Sequence, residues 1–150
     1  MRFEQRGDLH PLRDGAEADF LARPRLALRS ALAFRAALRA QGSGFDSYIS
    51  IAEGPAPRVL AADLNSQTED VFVTSGRGLD HLKAARLPLR MGHDASGPLA
   101  AATILADHLA QGWTPAQAAA ILPTLAPGHG NTHAEIARRL GKSRQAVTKA

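Results

Sequence analysis

The stretch THAEIARRLGKSRQAVTKA, residues 132–150, decides how this chain is read. Thr132, followed three residues later by Glu135, is a capping box. The hydroxyl and the carboxylate each satisfy a backbone N–H that a first helical turn leaves without a partner. A helix follows, with Ile136, Ala137 and Leu140 on its inward face. Gly141 stops it, and Ser143 caps a second helix running from Arg144 towards Ala150. Two short helices joined by Leu140-Gly141-Lys142-Ser143 make a helix-turn-helix. Such a pair needs a small residue where the helices cross, a glycine at the bend and a branched apolar residue facing back from the second helix. Ala137, Gly141 and Val147 meet these needs at intervals of four and six.

Upstream, Thr114-Pro115-Ala116-Gln117 combines an N-cap, a proline at the first helical position and a capping-box glutamine. It opens a helix towards Leu122, where Pro123 intervenes, and Pro127-Gly128-His129-Gly130 is a turn. Leu99 to Ala110 reads as a helix with Ala102, Leu105 and Leu109 on one face. Before it, residues 92–98 (Gly-His-Asp-Ala-Ser-Gly-Pro) have the composition of a linker.

The N-terminal side mixes signals. Arg2 to Arg13 reads as two short strands around a turn at Arg6-Gly7-Asp8. Pro24 to Gln41 is helical, with Ala27, Ala31, Phe34 and Leu38 on one face and Arg25, Arg29, Arg35 and Arg39 on another, as on a surface helix. Phe45 to Glu53 alternates like a strand, Asp70 to Ala84 is a second amphipathic helix, and Leu87 to Met91 is an edge strand limited by Pro88. The fold class expected is α+β. A small mixed, ferredoxin- or palm-like domain at residues 1–91 is joined by the 92–98 linker to an all-α helix-turn-helix domain at 99–150.

Charge is concentrated at one end. Residues 1–131 carry equal numbers of basic and acidic side chains. Residues 132–150 hold Arg138, Arg139, Lys142, Arg144 and Lys149 against Glu135, so the net +4 of the chain lies there. That asymmetry points to a polyanion partner for this segment. The absence of cysteine excludes disulfides and thiolate chemistry. No apolar run reaches the ~20 residues of a membrane span, and a cytoplasmic protein is expected.

Residues 132–150 resemble the helix-turn-helix DNA-binding domains of bacterial transcription regulators. The resemblance implies that the second helix enters the major groove of duplex DNA. Arg144, Gln145, Thr148 and Lys149 would then face bases, since arginine suits a guanine edge and glutamine an adenine edge. Lys142, Ser143 and Thr132 would meet phosphates. It also implies a homodimer reading paired half-sites, and a recognition helix that stops short at Ala150.

Residues 2–91, through Phe3 to Asp8, the arginine-rich helix, Ser50-Ile51-Ala52-Glu53-Gly54 and Ser75 to Asp80, resemble the palm-like domain of SatD-family proteins. That domain is itself similar to class III nucleotide cyclase domains. The resemblance implies two metal-binding carboxylates, of which Asp8 matches only the second, the first strand and helix of the palm being missing. One carboxylate does not make a two-metal site, so Asp8 reads as a turn residue and no enzyme, metal or cofactor is expected. His129 and His133 are four apart but lie on either side of a helix start, which argues against a metal pair. The expected function is DNA binding, with the N-terminal domain for dimerisation or small-ligand sensing. The alternative is a catalytically degenerate, cyclase-like nucleotide-binding module with an accessory helix-turn-helix.

Overall fold

A computed structural model describes residues 24–55, 68–125 and 132–149. A 3₁₀ turn at Pro24–Leu26 leads into α1 (Ala27–Gln41), followed by β1 (Ile49–Ile51), α2 (Asp70–Ala84), β2 (Met91–His93) and α3 (Pro98–Gln111). α4 (Pro115–Leu125), α5 (His133–Arg139) and α6 (Arg144–Lys149) complete the described elements. The strands and turn expected between Arg2 and Arg13, with Asp8, and the turn at Pro127–Gly130 lie outside these residues.

The α+β, ferredoxin- or palm-like N-terminal domain expected above is overturned. About 65% of the described residues are helical and 6% are strand. The strands form one two-stranded sheet, parallel, with Ile49 opposite Met91 and Ile51 opposite His93. A palm is a larger sheet with antiparallel neighbours, whereas β1 and β2 are parallel strands joined through α2, as a crossover connection requires. Local chemistry explains the shortfall. Phe45 is exposed, and only Ile49 and Ile51 of the alternating segment are buried. Leu89 spends its N–H on the carbonyl of Leu87, 2.8 Å away, so the residues around Pro88 turn rather than extend. Strand pairing begins only at Met91, and Gly92 and His93, within the stretch read as a linker, belong to β2.

The described residues group into two compact units that interleave along the chain. One takes the described residues up to Leu28 together with Tyr48–Asp107, and the other takes Arg29–Ser47 together with the described residues from His108 onward. In the first, α2 lies against the sheet. Leu82, Ile49, Ile51 and Met91 are buried there, and the Ser75 hydroxyl donates to the Ser50 carbonyl at 3.1 Å. The Asp107 carboxylate, fully buried, accepts the Arg90 N–H at 2.9 Å just before β2. α3 therefore turns Thr103 and Asp107 inward. Ala102, Leu105 and Leu109, the face its sequence pattern groups, are exposed.

In the second unit the arginines of α1 are tied to other segments rather than left to water alone, although Arg29 stays exposed. Arg35 is fully buried and grips Asp46 through two parallel bonds, Nε to Oδ1 at 2.9 Å and Nη2 to Oδ2 at 2.8 Å. Arg39, one turn on, reaches Asp46 Oδ2 at 3.3 Å and donates twice to the carbonyl of Trp113, from Nε at 3.0 Å and Nη2 at 2.8 Å. Arg29 donates to the carbonyls of Thr124 and Leu125, both at 2.9 Å. Those carbonyls belong to the last turn of α4, where a helix leaves acceptors open. α4 thus continues through Pro123, beyond the stop expected at Leu122, with the guanidinium satisfying the end that proline weakens. Burial pushes the Asp46 carboxyl up. The hydrogen bonds of Arg35, the N–H of Ser47 and the charges of Arg35 and Arg39 outweigh it and hold the group below its ordinary value.

Candidate nucleic-acid interface

α4, α5 and α6 share one small core. Ala120 of α4, Ile136 and Ala137 of α5 and Val147 of α6 are buried together, with Leu140 packed against them. Ala137 is the small residue that lets the helices approach, and Val147 is the side chain that holds α6 down.

Both helix starts are built by their own sequences. The Thr132 hydroxyl accepts the Glu135 N–H at 3.3 Å, and Glu135 Oε2 accepts the Thr132 N–H at 2.7 Å and its hydroxyl at 3.0 Å. The N–H of Thr132, then its hydroxyl, with Arg138 and Arg139 nearby, hold the Glu135 carboxyl below the ordinary glutamate range. The Ser143 hydroxyl accepts the Ala146 N–H at 3.2 Å and caps α6.

The turn between them is a Schellman motif. Lys142 N–H donates to the Ala137 carbonyl at 2.9 Å and Gly141 N–H to the Arg138 carbonyl at 3.3 Å, which satisfies the end of α5. Gly141 has φ +61°, the left-handed conformation that this motif places after a helix and that glycine enters without a steric penalty.

Of the residues expected to meet DNA, all seven are exposed, but they are not equally available. Thr132 and Ser143 have their hydroxyls engaged in the two caps. Thr148 Oγ1 donates to the Arg144 carbonyl at 3.0 Å and lies 3.2 Å from His133 Nδ1. Lys142, Arg144, Gln145 and Lys149 differ: among the described residues nothing takes up their polar ends. The turn and α6 therefore present three cations and one amide on a surface whose opposite side is fixed by Val147. His133 is the residue that sequence reasoning missed. The sequence offers it only as a metal ligand beside His129, whereas its partner lies 15 residues away on another helix.

A second polar cluster closes the other unit, at the ends of β1 and β2. The side chain of His93 is buried, with Nε2 3.5 Å from Glu53 Oε1 and Nδ1 3.1 Å from Asp94 Oδ1. Its Nδ1 accepts the Ala95 N–H at 3.0 Å, and both Asp94 oxygens lie 3.3 Å from the Glu53 N–H. His93 Nδ1 and the Asp94 carboxylate are thus taken up by backbone N–H groups of the cluster itself. Among the described residues no group of three or more His, Asp or Glu side chains is placed to hold a metal ion. No described helix is long and apolar enough to cross a membrane.

No protein-family model, curated protein or solved structure matches this chain.

Proposed function

We propose that the chain is a DNA-binding protein of the transcription-regulator type, which uses the turn and α6 to dock on duplex DNA. One observation carries this reading: Lys142 in the turn and Arg144 and Lys149 on α6 stand exposed and without partners among the described residues, and that short helix is packed by its far side against α4 and α5. A short helix held this way fits a major groove about 12 Å wide. Cations grouped on it would displace counterions condensed on the phosphates. The rest of the chain would then serve dimerisation or ligand sensing, a second copy placing a second α6 on a paired half-site. Such a protein works in the cytoplasm, where bacterial DNA lies.

The test is anisotropy of a fluorescent random-sequence duplex titrated with the protein at several salt concentrations. On a random-sequence duplex, where no base edge is selected, all three cations meet phosphates; each phosphate neutralised contributes a slope of about −0.9 to log K against log salt, so the slope is about −3. Binding that ignores salt, or no binding at low salt, overturns the proposal.

A further inference from the structure

We infer that His133 is a positioning residue for α6: it tethers Thr148, removes that side chain from base recognition and fixes the roll of the helix. The inference rests on the DNA reading above for its functional half and on the geometry of α5 and α6 for the rest.

α6 has six residues and one buried side chain, Val147. A helix this short has no stability of its own. Held by a single side chain it can roll about that attachment, and the roll decides which residues face outward. The contact between His133 Nδ1 and Thr148 Oγ1, at 3.2 Å, is a second attachment, from the first residue of α5 to the last turn of α6. The Thr148 hydroxyl has one proton, and the Arg144 carbonyl 3.0 Å away accepts it. Nδ1 of His133 therefore carries the hydrogen of this pair and donates it to Thr148. A hydroxyl that gives its proton to one neighbour and accepts from another has little left for a base edge.

The roll fixed in this way follows from 100° per residue. Gln145 and Lys149 lie about 160° from Val147, on opposite sides of the outward direction. Arg144 and Thr148 share one flank, about 60° and 100° from Val147. Thr148 is held back on that flank towards α5, whereas Arg144 has the length to extend past it. The base-reading set narrows from four residues to Arg144, Gln145 and Lys149, and its orientation depends on a histidine on the preceding helix.

The test begins with a duplex selected from a random pool by the wild-type protein. Affinities for that duplex and for the random pool are compared in His133→Ala, His133→Asn, Thr148→Val and the double variant His133→Ala/Thr148→Val. An asparagine amide can occupy the place of Nδ1, so His133→Asn should keep the ratio of selected to random affinity within about twofold. His133→Ala and Thr148→Val should each lower it by about tenfold, the scale of one hydrogen bond. The double variant should be no worse than Thr148→Val, and affinity for random duplex should stay within about twofold throughout, because on unselected sequence the long cationic side chains meet phosphates by charge whatever the roll of α6. An unchanged ratio in His133→Ala, or His133→Asn failing as the alanine does, overturns the inference. A wild-type protein that selects no duplex overturns the proposed function and the base-reading half of this inference with it. The tether is decided separately, by hydrogen exchange of the α6 amides in the free protein. Faster exchange in His133→Ala than in His133→Asn supports it, and equal exchange overturns it.

Discussion

Arg35 and Asp46 show what a single pair of side chains does here. A guanidinium with no solvent exposure is tolerated because two parallel bonds meet it, and the carboxylate also takes the Ser47 N–H at 2.9 Å. Asp46→Asn leaves that guanidinium buried beside a neutral amide, and removal of one partner from such a pair costs about 3–5 kcal/mol. The sign of the pH effect follows from the lowered Asp46 value. The stability this carboxylate contributes is present in full above the unfolded range near pH 4. It is lost as the pH falls through the lower value of the folded group. Denaturant titrations between about pH 6 and pH 2.5 should show wild-type stability falling more steeply than that of Asp46→Asn. Parallel curves would mean the pair is not linked to protons. At the other site, Arg144→Ala should weaken binding to a selected duplex by ~1–3 kcal/mol and binding to random duplex by less. Equal loss on both would make Arg144 a phosphate contact, and no loss would remove it from the interface.

At the scale of elements, the features legible in the sequence are those decided within four residues. The capping boxes at Thr114 and Thr132, the Ser143 cap and the glycine at 141 all stand where the residue order put them, because each is closed by a neighbour along the chain. The alternating run from Phe45 to Glu53 misled for the opposite reason. Alternation states which residues can share a face, whereas pairing depends on a partner strand, here 42 positions away (Ile49 opposite Met91). The exposed Leu105 and Leu109 of α3 belong to the same class: the helix was legible, but the side it buries was settled by Asp107 meeting the Arg90 N–H. The polar ends of α6 were legible as residue types, and the engagement of Thr148 was not, since His133 sits on another helix. Gly141 offers a direct check on the turn. Alanine there meets no clash with other residues but must hold φ +61°, which costs about 1–2 kcal/mol. Asparagine, which enters that region more readily, should cost less. Chemical denaturation of the two variants measures the difference, and an alanine variant as stable as wild type would mean that the turn relaxes.

For the molecule as a whole, the informative feature is that α1 holds α4 although about half of the chain lies between them. Arg39 binds the carbonyl of Trp113 just before α4, and Arg29 binds the last carbonyls of α4, so one helix fastens the other at both ends. Residues 99–150 excised alone lose both fastenings. They should melt over a broad range by circular dichroism, whereas residues 24–150 should melt in one sharp transition; a sharp transition in the shorter piece would show that α1 is dispensable. The same fastening also sets an order of events during synthesis. Arg29 is made 96 residues ahead of Leu125, a lead of about 5–20 s at ordinary translation speeds. For that interval Arg29 has no α4 carbonyl to bind. Asp46 follows Arg35 by only 11 residues, so the guanidinium destined for the deepest burial can be matched with its anion almost as soon as it emerges.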